Sequence, residues 1–131
     1  MILNLFVNLP KAHPGASGNE YFSRSSHSLL WVLTNGGGIS LTIHAYVAIA
    51  LLLGAIALFV RSIAARNKSW IWTSGIAAFF TIGALLNGLS FVDYNENFSS
   101  MIMAICWFVA VGSIVAGLLI SAQGKQLKPS T

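Results

Sequence analysis

ISLTIHAYVAIALLLGAIALFV, running from Ile39 to Val60, decides the fold class. No charged side chain interrupts it. At 1.5 Å per residue a helix of that length covers about 33 Å, and a bilayer's hydrocarbon core is about 30 Å thick. Inside hydrocarbon the backbone N–H and C=O groups find no water, so a helix must satisfy them within the segment. The stretch reads as a membrane-spanning helix.

Working outward, two more runs have the same character. Trp70 to Phe91 is uncharged, and Ser99 to Ala122 is interrupted mainly by Ser113 and Ser121. A serine hydroxyl can return to a carbonyl one turn earlier, so neither breaks the span. Over all 131 residues, 56% are hydrophobic and 8% charged, where a soluble domain carries about 25% charged residues. A soluble chain this small could not cover so much apolar surface; lipid must supply the covering. The expected fold class is an all-α integral membrane protein. It has three transmembrane helices (39–60, 70–91, 99–122) and, before them, an amphipathic interfacial helix.

The links set an expected orientation. Arg61 to Lys68 holds three positive charges, Val92 to Phe98 holds Asp93 and Glu96 with no positive charge, and the tail 123–131 carries Lys125 and Lys128. Short basic loops stay cytoplasmic. The basic link and tail are therefore expected inside, and the acidic link and the N-terminus outside, in a cell (inner) membrane. Trp31, Trp70 and Trp72 fall near span ends, where indoles favour the headgroup level. Ser69 and Ser99 stand where helix N-caps belong, and Gly124 where a C-terminal cap belongs. The net charge of +4 flanks apolar runs and forms no basic stripe, which argues for lipid headgroups as partners and against nucleic acid. The single cysteine, Cys106, permits no intramolecular disulfide and reads as a small buried hydrophobe.

Residues 1–38 form an extracytoplasmic segment without the basic start and long apolar core of a cleavable signal. Pro10 and Pro14, with Gly15 and Gly18, break any helix there. Over about 21–34 the pattern changes. Phe22, Leu29, Leu30 and Leu33 share one side of a helix, with Arg24, Ser25 and Ser28 elsewhere. This predicts a helix lying on the outer membrane surface, its apolar side toward lipid. The alternative is a lid, with Met1 to Leu9 and Tyr21 to Leu33 both over the outer mouth of the bundle. Asn35-Gly-Gly-Gly38 ends the helix.

Spans in lipid associate through close approach and polar bonds. Small residues at four-residue spacing mark candidate faces: Ala50 with Gly54, Gly83, Ala84 with Gly88, Gly112 with Ala116, and Ser113 with Gly117. Helix packing is the ordinary reading of all of them. Three spans make a thin bundle, so leftover faces suit a homo-oligomer or a partner membrane protein.

The unusual polar groups share one depth. His44 lies early in span one; Asn87 and Ser90 lie late in span two; Met101 and Met103 open span three. Asp93, Tyr94 and Glu96 stand just above, and His27 lies on the proposed surface helix. The opposite halves of the spans look nearly free of hydrogen-bonding side chains. An ionisable or amide group inside a span must find a partner or water. The candidate ligand-binding residues are therefore His44, Asn87, Ser90, His27, Asp93, Tyr94 and Met101. The plainer reading is a His44–Asn87 hydrogen bond pinning spans one and two. The sharper one takes His44 as a ligand of haem b, with His27, His13 or Met101 as the second ligand. Without a CxxCH motif, covalent haem is excluded. A quinone or small lipid-soluble ligand contacted by His44 and Asn87 is the related alternative. Copper through His44, Met101 and Met103 has less support, zinc lacks ligand spacing, and no hydrolytic motif is present. The leading expectation is a non-catalytic subunit or small-ligand-binding module.

His44, the Arg-rich link, Leu86-Asn-Gly-Leu-Ser-Phe91, the acidic turn and Ser99-Ser-Met-Ile-Met-Ala104 resemble small bacterial polytopic membrane proteins of no assigned function. Tyr21-Phe-Ser, His27-Ser and Trp31 fit the same pattern. The resemblance covers about Tyr21 to Leu119. It implies three or four helices and a bacterial inner membrane, and no reaction.

Overall fold

Each apolar run becomes a helix that outlasts the run at both ends or one. The computed structural model describes residues 20–34, 36–94 and 97–126. Their helices are α1 (Tyr21–Leu33), α2 (Ile39–Ala64), α3 (Lys68–Tyr94) and α4 (Asn97–Gln126). The last three, of 26, 27 and 30 residues, would be about 39 to 45 Å long. That exceeds the hydrocarbon thickness, so they tilt or project into the headgroups. The expected all-α membrane fold with three spans is what forms. Met1 to Leu9, His13, Glu96 and Lys128 lie outside the described residues.

The spans form an open row. α3 stands in the middle, packed along α4 on one side and α2 on the other, while α2 and α4 barely touch. The small residues explain the closeness of α3 and α4. A Cβ placed on Gly117 would lie 2.6 Å from Thr73 Oγ1 and 3.2 Å from the Trp70 ring. One on Gly83 would meet Cys106 Sγ at 3.4 Å, and one on Gly88 would meet Met103 Sδ at 3.3 Å. Cys106 is thus half-buried in this seam. Gly54 and Gly112 face open space instead. None of α2's most apolar stretch is buried, against 22% of α3's; lipid or another chain must cover the rest of α2.

Helix ends differ from expectation. α4 runs through Gly124, so that glycine is not a cap. Ser99 lies inside the first turn of α4 and is buried. Asn67, not Ser69, caps α3, because its Oδ1 accepts from Trp70 N–H at 3.3 Å, three residues on. α2 ends in a paired turn. Asn67 N–H donates to Ser62 O (3.3 Å) and Arg66 N–H to Ile63 O (3.0 Å), with Arg66 in the left-handed region at φ 51°. The half of the row at this basic end is not free of polar side chains. Ser74 Oγ shares its proton between Trp70 O of its own helix and Ser62 Oγ of α2 at 3.2 Å, while Ser62 Oγ donates to Leu58 O at 2.7 Å; both serines are buried where α2 meets α3. The sequence hid this bond because Ser62 falls past the apolar run, in what reads as the link.

At the other end the chain turns sharply from α1 into α2. Gly36 lies so close to Trp31 that a Cβ would sit 2.2 Å from its indole nitrogen. Gly38 takes φ 88°, a region that favours glycine. The turn lets Val32 and Leu41 meet Phe91 and Val92 in the buried core, with Trp31 and Ala45 against it.

Candidate functional site

α1 is the element that makes a site. Tyr21, Arg24, Ser25 and Ser28 are spaced i, i+3, i+4 and i+7, so they form one stripe on a helix. That stripe, continued by Val32, faces inward: Ser25, Ser28 and Val32 are buried. The apolar side lies to the flank. Leu29 and Leu33 are half-buried at its edge, while Phe22 and Leu30 are exposed. The inward face is thus set by the hydroxyls at one end and by Val32, in the core with Leu41, Phe91 and Val92, at the other.

What they face is Asp93, in the last turn of α3 and 0% exposed. Ser25 Oγ donates to Asp93 Oδ2 at 2.8 Å, and Ser28 Oγ donates to Oδ1. Arg24 Nη2 donates to the backbone oxygen of Asp93 at 3.1 Å. A helix C-terminus leaves carbonyls without partners and disfavours negative charge. The arginine and the two hydroxyls answer both problems. The Arg24 guanidinium also stands 4.8 Å from the centre of the Tyr94 ring, a cation–π contact, and its Nε is buried without a hydrogen-bond partner. One turn below, the Tyr21 hydroxyl and Ser90 Oγ share a hydrogen bond of 2.9 Å, and Tyr21 lies 3.3 Å from Leu86 O. α2 is joined as well, Thr42 Oγ1 donating to Val32 O at 2.7 Å.

Of the seven candidate residues, three come together here: Ser90, Asp93 and Tyr94. The other four do not join them. Asn87 Nδ2 donates to Gly83 O in its own helix at 2.8 Å. Among the described residues no hydrogen bond joins it to His44, so the proposed pin between spans one and two is absent. The amide finds a carbonyl one turn back before it can reach a neighbour. His44 is half-buried on α2, His27 is exposed on α1, and Met101 is exposed on α4. Among the described residues no group of three His, Cys, Asp or Glu side chains could hold a metal ion.

The sequence alone does not single out Tyr21, Arg24, Ser25 and Ser28 as site residues. Their signal was present, as a polar stripe at helical spacing. A polar stripe beside an apolar one is ordinarily assigned to water, and nothing local to 21–34 announces a carboxylate 65 residues away.

Comparison with protein-family profiles, with characterised proteins and with solved structures yields no match to this chain.

Proposed function

We propose that this chain is a non-catalytic subunit of a membrane assembly, with α1 as a fixed cap on one end of its row of spans. One observation carries the reading. Most polar side chains at that end are engaged within the chain: Asp93 with Ser25 and Ser28, Tyr21 with Ser90, Asn87 with a carbonyl of its own helix, and Arg24 through Nη2 though not through Nε. A substrate or cofactor site would instead hold converging polar groups open to a ligand. The open row supports the subunit reading, since Gly54 on α2 and Gly112 on α4 stand without neighbours. Such faces admit close approach by another helix, from a second copy or a partner membrane protein. The basic turn between α2 and α3 favours a cell inner membrane with that turn and the C-terminus in the cytoplasm and α1 outside.

The test is extraction into native-lipid nanodiscs, followed by particle mass and a visible absorption spectrum. A colourless particle holding more than one polypeptide is expected. A lone chain carrying stoichiometric haem, with a Soret band lost in His44→Ala, would overturn the proposal in favour of a redox protein.

A further inference from the structure

At the basic end, a groove of about 310 Å³ runs between α2 and α3, lined by Phe59 on α2 and by Trp72, Gly75, Ile76, Phe79 and Phe80 on α3, with Ile71 at its start. Gly75 makes it: a Cβ there would stand 3.1 Å from the Phe59 ring. From Ile71 to Phe80 the groove follows α3 for about 14 Å, close to the depth of one hydrocarbon leaflet. Its lining is almost wholly apolar, so water gains little there.

The mouth of the groove is charged. Lys68 precedes Ile71 and Trp72 by three and four residues, which places it on the same face of α3. Arg66 lies in the link two residues before Lys68, and Arg61 in the last turn of α2. All three cations are exposed, and the 61–68 segment contains no acidic residue. Trp72, exposed at 74%, stands between the cations and the apolar floor, at the level indoles prefer.

We propose that the groove holds one acyl chain of an anionic phospholipid, with its phosphate against Lys68 and Arg66. The apolar length fits the chain, and the uncompensated positive charge at its mouth fits the headgroup. The inference rests on the three spans crossing a bilayer and is independent of whether the protein is a subunit or a redox carrier.

The full chain is reconstituted in phosphatidylcholine nanodiscs containing a minor fraction of brominated phosphatidylglycerol or brominated phosphatidylcholine. The quenching due to Trp72 is the difference between wild type and Trp72→Phe. Stronger quenching by the anionic lipid is expected. Its preference should fall about fivefold with each charge removed in Lys68→Gln and Arg66→Asn; asparagine tolerates the left-handed backbone at position 66. Filling the groove with Gly75→Leu should also abolish the preference. Ile76→Phe, a milder change at the exposed lip, should weaken it if the leucine variant fails to fold. Equal quenching by both lipids in the wild type overturns the site. So does a preference that survives loss of both cations, or one that withstands the groove variants and responds only to charge, which would be surface attraction alone.

Discussion

Along α3, the junction with α4 is made from small and apolar side chains, whereas the junction with α1 sets hydroxyls, a guanidinium and a buried carboxylate beside a small apolar core of Val32, Phe91 and Val92. The first works by proximity: Gly117 admits Trp70 and Thr73, and Gly83 and Gly88 admit Cys106 and Met103. In lipid, where apolar surface gains little by leaving hydrocarbon, such close contact is the main source of association. The second works by direction. α1 is only 13 residues long, too short to be stable as an isolated helix in water, and it leaves Phe22 and Leu30 exposed. Its position depends on hydrogen bonds that exist in one register only, because a shift of one residue turns Ser25 and Ser28 away from Asp93. A membrane chain can thus fix its spans by shape and orient its peripheral helix by polar chemistry.

Asp93→Ala should have the largest effect on the α1 junction. Two hydrogen bonds to a carboxylate disappear, a loss of about 3 kcal/mol from α1 docking. Amide exchange over 21–33 should accelerate by about a hundredfold, with protection in α3 and α4 retained. Gly117→Val attacks the other junction. Overpacking there should cost about 2 kcal/mol, read as a lower thermal midpoint in detergent with α1 exchange following the global transition. Ser28→Ala leaves one Asp93 oxygen short of a donor and should release α1 by about 1.5 kcal/mol in the same exchange experiment. Ser74→Ala removes the bond to Ser62 at the basic end and should lower stability in detergent by about 0.6 kcal/mol. Asn87→Ala should have the smallest effect, about 0.5 kcal/mol or less on the same melt, because its amide returns to its own helix. A larger loss for Asn87→Ala than for Ser74→Ala would mean that Asn87 holds spans together after all.

The spans could be read from composition because lipid imposes a single requirement on every residue of a run, and the runs are long. Several glycines of the α3–α4 seam were legible for the same reason: close approach needs small residues. Which small faces would pair was not legible. Gly117 is buried in the seam and Gly112, five residues earlier, faces away, and both sit in four-residue patterns. The site was half visible. Asp93, Tyr94 and Ser90 stood out as polar groups at a span end, but their partners lie in a helix whose polar side reads as solvated. The direction a short helix faces is a tertiary property, decided here by one carboxylate far away in sequence. Ser62 was missed for a different reason, since α2 continues past its apolar run as far as Ala64.

α1 docks by its serine stripe. Thiol accessibility tests it most directly, in a Cys106→Ala background with single cysteines at Ser28 and at the exposed Ser26. A water-soluble maleimide should label the Ser26→Cys chain rapidly and leave the Ser28→Cys chain unlabelled until denaturant or Asp93→Ala frees α1. Labelling of Ser28→Cys at the Ser26→Cys rate in the folded chain would contradict it, and would mean that the helix lies on the membrane with its serines in water.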